Sequence, residues 1–188
     1  MSTAEVEGLA RDVRSIANNA KREFGKLSEA QLNWKPAVDS WSVAQCFDHL
    51  ITTNAAYFPV LESIAKGEKK TTMVERLPLL PKLWARLFIK SLDPKATRKL
   101  KAPASFQPSA SDLSKSIIDD FVDHQRRVVD SMEATKKMNL DRIVITSPAA
   151  PVITYSLMDA FRILVIHEQR HFQQAMRVRE DSSFPRSA

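Results

Sequence analysis

The strongest constraint on the fold of this chain is the spacing of its apolar residues, which has a helical period in four long stretches. In the first stretch, residues 6–24, apolar side chains recur three or four positions apart, as they do on one face of an α-helix. The second stretch opens with a capping-box pattern at Ser42–Gln45, and we expect it to form one long helix that runs towards Gly67. The third begins near Ser109 or Ser111 and the fourth at Ser156. The chain has only three glycines, which are too few for a turn-rich β-protein. The sequence therefore predicts an all-α fold.

The lengths of the linkers predict how these helices are arranged. Four long amphipathic helices are typical of a four-helix bundle, and residues 68–109 form a long, proline-rich connection between the second and the third. Such a connection allows helices two and three to run parallel, so we expect an up-down-down-up order. Within this crossover, Leu79–Leu92 has the pattern of a short extra helix that is basic and amphipathic. After Asn139 we expect a loop containing Pro148 and Pro151 before the last helix.

Length and composition favour one domain that spans residues 1–188. With 188 residues, of which 44% are hydrophobic and 27% charged, the chain can bury a stable core. The single cysteine, Cys46, excludes an intramolecular disulfide and fits a reducing compartment. The first residues lack an apolar signal core, and no apolar run approaches the ~18 residues of a membrane span. We therefore expect a cytoplasmic protein without a membrane segment.

The positive charge is concentrated in the long connection. The whole chain has a net charge of +6, whereas residues 66–101 carry eleven lysines and arginines against three acidic residues, a net charge of +8. Leu83, Trp84, Leu87 and Phe88 lie among these basic residues, a mixture compatible with binding to an anionic partner or a membrane surface. We favour a lid or a dimer contact with a solvated basic rim, and we expect neither nucleic acid nor membrane as a partner.

The residues that indicate chemistry are His167 and His171, four positions apart in the last helical stretch. Such histidines stand one turn apart on one face of a helix, so both can reach a single ion at about 2.0–2.1 Å. His49 lies in a row of small residues beside the main apolar stripe of the second helix. Burying three imidazoles without partners is costly, and one metal ion would satisfy all of them. The sequence therefore predicts a three-histidine metal site inside the bundle.

Other polar residues near these histidines are candidates for supporting roles. Glu168 is three positions before His171 and could take or deliver a proton if it faces the site. Gln174 lies one turn beyond His171 and could orient a ligand or substrate. Cys46 precedes His49 by about one turn and could be a fourth ligand, although a small buried core residue is the favoured interpretation. His124, on the third helix, could border the site as an acid/base group, although a hydrogen-bonded core role is the favoured interpretation.

The segment from His167 to His171 also matches HExxH, the zincin motif in which the glutamate is a general base. The longer metzincin form needs glycine and histidine where this chain has Gln174 and Arg177. The pattern of the sequence also predicts no strand that could hold a peptide substrate. Proteolysis is therefore not expected.

Three blocks of sequence together resemble the DinB-like superfamily, and the resemblance covers nearly the full chain. The matching residues are Leu32–Pro36 (LNWKP), Ser40–Gln45 (SWSVAQ) followed by Asp48-His49-Leu50, and His167–His171 (HEQRH) with Gln174. The resemblance implies a four-helix bundle in up-down-down-up order, often a homodimer. It also implies a metal ion held by His49, His167 and His171.

The resemblance further implies a class of chemistry. Members with known activity look like thiol-dependent S-transferases or isomerases that use low-molecular-weight thiols, and a related domain supplies iron-binding histidines to sulfoxide synthases. This chain has Phe172 and Gln173 after His171, where one common branch reads H-x-x-x-H-R-G-Q. The ligands are unaffected by this difference, but no particular substrate can be transferred to this chain.

Two functional hypotheses follow. The first is a metal-dependent enzyme of the transferase or hydrolase type that acts on a small-molecule substrate. Three protein nitrogens leave positions open, as in catalytic zinc sites, and the ion would lower the pKa of a bound water or thiol. Zinc and nickel are the favoured ions and iron is a further option, because imidazole ligands alone do not select among them. The second hypothesis is a non-catalytic helical bundle that binds an anionic partner through its basic residues 66–101.

Overall fold

A computed structural model of the chain describes residues 2–76, 106–108 and 112–186. The predicted helix Leu79–Leu92, with Trp84, lies outside the described residues. The α-helices are α1 (Ser2–Phe24), α2 (Glu29–Asn33), α3 (Val43–Ala55), α4 (Phe58–Ala65), α5 (Ile117–Thr135) and α6 (Leu157–Arg179). A 3₁₀ turn at Val74–Arg76 and two strands, β1 (Val144–Ser147) and β2 (Ala150–Ser156), complete the described elements.

The long helices form a four-helix bundle with the predicted up-down-down-up order. Contacts between helix ends show that α1 runs antiparallel to α5 and parallel to α6. In the same way, the combined helix α3–α4 runs antiparallel to α6 and parallel to α5. The contacts that establish these directions are Thr3 with Lys136, Lys21 with Asp119, Glu5 with Arg162, Glu23 with Arg179, Trp41 with His171, Tyr57 with Tyr155, Phe47 with Phe121, and Glu62 with Arg127.

The second helix of the bundle is interrupted, so the prediction of one continuous helix from Ser42 towards Gly67 is wrong. Its start is as predicted, because Ser42 is the N-cap of α3 within a complete capping box. The helix stops at Ala55 and resumes at Phe58. Pro59 explains the break, since proline has no N–H to donate and its ring clashes with the carbonyl four residues earlier, that of Ala55.

Helix α5 begins at Ile117, so the predicted start near Ser109 or Ser111 is wrong. The amide side chain of Asn33, at the end of α2, holds the preceding segment in a different conformation. Its oxygen accepts hydrogen bonds from the backbone N–H groups of Asp112 (3.2 Å) and Leu113 (2.9 Å), and its nitrogen donates to the Leu113 carbonyl (2.8 Å). Asp112 has a φ of 78°, which a right-handed helix does not allow.

The loop expected after Asn139 contains a β-hairpin, and this part of the prediction is wrong. Strands β1 and β2 pair antiparallel, with Ile145 opposite Tyr155. Each strand contains β-branched residues, which favour extended structure. The two prolines that suggested a loop are compatible with the hairpin, because Pro148 lies between the strands and Pro151 near the start of β2, where fewer ladder hydrogen bonds are needed.

Two apolar clusters fill the bundle. One includes Leu61, Met132 and Phe161 and lies towards the hairpin, whereas the other includes Phe24 and Phe47 and lies towards α2. The rings of Phe24 and Phe47 meet edge to face, with their centroids 5.3 Å apart. Among the described helices, none combines the length and the apolar character needed to cross a lipid bilayer.

The carboxylate of Glu75 attaches the beginning of the long connection to the hairpin. It accepts hydrogen bonds from the backbone N–H (2.9 Å) and the hydroxyl (3.1 Å) of Thr146. It also accepts hydrogen bonds from Lys69 Nζ (2.7 Å) and the backbone N–H of Thr72 (2.9 Å). Burial alone would raise the pKa of Glu75, but hydrogen bonds from Lys69, Thr72 and Thr146 and the charge of Lys69 outweigh burial and lower it.

Replacing Glu75→Gln should lower the free energy of unfolding at pH 7 by about 1–3 kcal/mol, because it removes a hydrogen-bonded charge. The pKa of Glu75 is lower in the folded chain, so its stabilising effect is complete above the ordinary carboxyl pKa of about 4.3. It is lost as the pH falls through the folded pKa. The difference between wild type and variant, measured by urea denaturation from pH 7 down to pH 3, should therefore shrink in acid.

The matched control is Glu68→Gln, because Glu68 is exposed on the same segment. This variant should change the unfolding free energy little at any of these pH values. If the loss of unfolding free energy in Glu75→Gln stays constant down to pH 3, the stabilisation does not come from the ionised carboxylate.

Candidate metal centre

Three histidines from two helices converge inside the bundle. His49 on α3 and His167 and His171 on α6 each offer a nitrogen, and the three atoms lie within 4.8 Å of one another. The Nε2 atoms of His49 and His167 are 3.2 Å apart. Two nitrogens bound to one ion at about 2.0–2.1 Å are about 2.9–3.4 Å apart in octahedral or tetrahedral geometry. The spacing of this pair therefore suits two ligands of a single ion.

Local structure fixes the register of both helices that carry these histidines. The Ser42 hydroxyl accepts a hydrogen bond from the Gln45 N–H (3.1 Å), and the Gln45 side chain accepts one from the Ser42 N–H (3.2 Å). At the start of α6, the Ser156 hydroxyl accepts a hydrogen bond from the Asp159 N–H (3.1 Å). Such caps fix where a helix begins and hence which residues face its neighbour. His49 therefore faces α6, and the histidines of α6 face α3.

The protein environment keeps the three imidazoles neutral. Burial lowers the pKa of His49, with partial compensation from a hydrogen bond to Phe106. Burial, followed by the neighbouring His49 and Arg170, lowers the pKa of His167 to about 3. Burial and the same kinds of neighbour hold the pKa of His171 well below its usual range. Neutral imidazole is the form that binds metal, so no proton has to be removed from these side chains at neutral pH.

Two of the histidines have a ring nitrogen that is available to bind a metal ion. His49 Nδ1 lies 2.5 Å from the carbonyl oxygen of Phe106, and a carbonyl can only accept, so Nδ1 carries the proton. The bare nitrogen of His49 is then Nε2, the atom that faces His167. Nδ1 of His171 is buried without a hydrogen-bond partner among the described residues. A buried nitrogen without a partner is costly, and a metal ion would remove this cost.

An indole ring covers part of the site. Trp41 stacks on the His171 ring, with centroids 5.5 Å apart and planes 19° apart, and its centroid lies 4.9 Å from that of His49. Trp41 immediately precedes the N-cap of α3, so the cap that sets the register of His49 also places the indole. Trp41 and Phe106 were not predicted as site residues. Trp41 lies in the SWSVAQ block, whereas nothing in the sequence indicates the Phe106 carbonyl.

The two predicted supporting residues, Glu168 and Gln174, lie on α6 within three positions of a site histidine. Glu168 is fully buried, and its Oε1 accepts a hydrogen bond from Asn54 Nδ2 at 2.8 Å. Burial raises the pKa of Glu168 to about 8, and the side-chain amides of Gln125 and Asn54 act in the opposite direction. Glu168 Oε2 has no hydrogen-bond partner among the described residues. Gln174 is half-buried, and its side-chain hydrogen bond with His171 partly offsets the lowering of the His171 pKa. The roles of Glu168 and Gln174 in proton transfer and orientation stay predictions.

Cys46 and His124 lie outside the three-nitrogen group. Cys46 is completely buried in the apolar cluster near α2, and burial raises the pKa of its thiol well above the ordinary range. His124 packs against Phe58, with centroids 5.0 Å apart. Burial, followed by the charge of Arg127, lowers the pKa of His124 to about 4. Its Nε2 is buried without a hydrogen-bond partner in the described parts of the chain, so the predicted hydrogen-bonded core role is not supported at that nitrogen.

Comparison with known proteins identifies the family. A family model of the DinB superfamily matches residues 14–175, a range that includes all three histidines and most of the chain. No curated protein and no solved structure matches the chain. The matched range begins within α1 and ends within α6, so it includes part or all of every helix of the bundle. The chain belongs to the DinB superfamily.

Proposed function

We propose that this protein is a metal-dependent enzyme whose ion is held by His49, His167 and His171. The observation that supports this proposal is the convergence of three imidazole nitrogens from two helices of the bundle. Three protein ligands leave positions for exchangeable groups, as in catalytic rather than structural zinc sites. Zinc and nickel are the favoured ions, and iron is the further option. When bound, the ion would supply Lewis-acid activation of a water or a thiol.

The surrounding side chains contribute positioning and shielding. The indole of Trp41 lies against His49 and His171 and excludes water from that side of the site. Glu168 directly follows His167 in the chain, and Asn54 donates a hydrogen bond to its carboxyl. After exchanging this hydrogen bond for one to a ligand, Glu168 would take or deliver a proton. Gln174 lies beside His171 and would orient a ligand or substrate.

The reaction class follows from the family resemblance. A small-molecule substrate and a low-molecular-weight thiol are proposed, with thiol-dependent S-transfer or hydrolysis as the reaction. The chain is proposed to work as one domain over residues 1–188, as a cytoplasmic homodimer without a nucleic-acid or membrane partner. The competing hypothesis of a non-catalytic bundle depends on basic residues 66–101. Of these, residues 77–101 lie outside the described residues, and within residues 66–76 the Lys69 ammonium is paired with Glu75.

The first test concerns the ligands. Replacing any one of the three histidines by alanine should reduce bound metal from about one ion per chain to well below that, because two imidazoles bind far more weakly than three. The measurement is elemental analysis of protein purified without a histidine tag and without added metal. His124→Ala is the matched control and should keep full occupancy. Full occupancy in His49→Ala would contradict a site shared between α3 and α6.

The second test uses the indole beside the histidines. Nickel(II) added to metal-free protein should quench tryptophan fluorescence, because Trp41 stacks on a proposed ligand. The quenching should be largely lost in Trp41→Phe. It should persist in Trp34→Phe, since Trp34 packs instead against Phe184, with centroids 5.5 Å apart. Equal quenching in both variants would show that the ion binds elsewhere.

The third test separates a catalytic from a structural ion. Removing the ion with a chelator should cost about 2.7 kcal/mol of stability at a free metal concentration of a hundred times the dissociation constant. For a domain of this size that corresponds to a fall of about 5–10 °C in melting temperature. Circular dichroism should show that the bundle stays helical, because two apolar clusters support it without the ion. Complete unfolding on chelation would identify the ion as structural.

A further inference from the structure

One hydrogen bond links the metal centre to a segment outside the bundle helices. His49 Nδ1 lies 2.5 Å from the carbonyl oxygen of Phe106, a residue 57 positions further along the chain. Phe106 belongs to the end of the long connection that precedes α5. A histidine on α3 is therefore oriented by a backbone atom that the packing of the four helices does not place.

We propose that Phe106 is a positioning residue of the metal centre, whose main-chain carbonyl holds the proton of His49 on Nδ1 and thereby presents Nε2 to the ion. This inference rests on the proposed metal site. A neutral imidazole carries one proton, so a carbonyl at Nδ1 leaves Nε2 with its lone pair free. Nε2 is the nitrogen that lies 3.2 Å from Nε2 of His167. The tautomer that Phe106 selects is therefore the one that the metal centre requires.

In the described parts of the chain, neither of the other two histidines has a backbone carbonyl hydrogen bonded to its ring. Nδ1 of His171 is buried without a hydrogen-bond partner, and no backbone carbonyl is found on a ring nitrogen of His167. The ring of His171 interacts instead with the side chain of Gln174. His49 is thus the ligand that a backbone atom orients, and groups that orient a ligand in this way tune metal affinity.

The side chain of Phe106 explains why its carbonyl stays in place. Its ring is buried, with 8% of the residue exposed, so the segment is anchored by apolar burial. Pro108 disfavours a helical conformation for the residue before it, Gln107. The hydrogen bond itself uses a backbone atom and needs no particular residue type. The phenyl ring serves as the anchor, and a smaller side chain at this position would loosen it.

Two variants of Phe106 test the proposal. Phe106→Ala removes the anchor, and Phe106→Leu is the conservative control that keeps an apolar side chain. The first measurement is the ¹⁵N chemical shifts of the histidine rings in metal-free protein, which distinguish the two neutral tautomers. The second is zinc affinity by competition with a chromophoric chelator. His124, which lies outside the three-nitrogen group, serves as the internal reference for the ring shifts.

The wild type and Phe106→Leu should show His49 with its proton on Nδ1. Phe106→Ala should show a mixture of tautomers and should bind zinc about ten- to a hundredfold more weakly, with His124 unchanged. A residue that merely supports the fold would lower the melting temperature in Phe106→Ala but leave the tautomer of His49 unmoved. That result, or a wild-type His49 with its proton on Nε2, would overturn the proposal.

A backbone substitution keeps the test decisive if Phe106→Ala does not fold. An ester in place of the amide between Phe106 and Gln107 weakens the acceptor oxygen while keeping the phenyl ring, and it should shift the tautomer of His49 in the same direction. An unchanged tautomer in the ester variant would overturn the proposal. If the wild type shows the expected tautomer but binds no zinc, nickel or iron, the positioning of His49 stands and the proposed function fails.

Discussion

The packing of α3 against α6 is the interaction on which the rest of the structure depends. His49 comes from one helix and His167 from the other, so they meet only if both helices keep their register and their antiparallel direction. Serine caps fix the first turn of each helix, and apolar burial on both sides of the site holds the helices together. Small shifts would separate the nitrogens, since their 3.2 Å spacing leaves little tolerance for two ligands of one ion.

The same seam contains buried polar groups in an otherwise apolar bundle. Glu168 and Asn54 are fully or almost fully buried and hydrogen bonded to each other, and Gln125 lies close enough to affect the Glu168 pKa. Polar groups buried at low dielectric are costly unless their hydrogen bonds are made. A bundle built only for stability would fill this space with apolar side chains. The presence of buried polar groups on the helices that carry the histidines instead fits a site that transfers protons or binds polar ligands.

The long connection allows two helices of the bundle to run parallel, and it also contributes to the proposed metal site. At its beginning, Glu75 bonds to Thr146 of the hairpin, and at its end the Phe106 carbonyl bonds to His49. Both ends of the connection are therefore fixed to the bundle, one near the hairpin and the other at the proposed metal ligand. Any arrangement of the chain that moves Phe106 changes the orientation of His49. By the reciprocity of linked equilibria, an ion that favours this orientation also favours the position of Phe106.

The sequence by itself determined the features that depend on neighbours a few positions away. The helical spacing of apolar residues and the capping pattern at Ser42 predicted the bundle, and the four-residue spacing of His167 and His171 predicted that they share a helix face. Pro59 also carried a local signal for the break in the second helix, which the apolar periodicity concealed. The β-branched residues of the hairpin also favoured strands, but Pro148 and Pro151 led to the prediction of a loop.

Only the tertiary structure decided the features that depend on contacts between distant residues. The late start of α5 follows from side-chain hydrogen bonds made by Asn33, 80 positions before Leu113. The tautomer of His49 follows from a carbonyl 57 positions away. Periodicity and capping report local free energies, whereas these contacts exist only after the helices have packed. A backbone carbonyl, moreover, is the same in every residue and leaves no trace in the sequence.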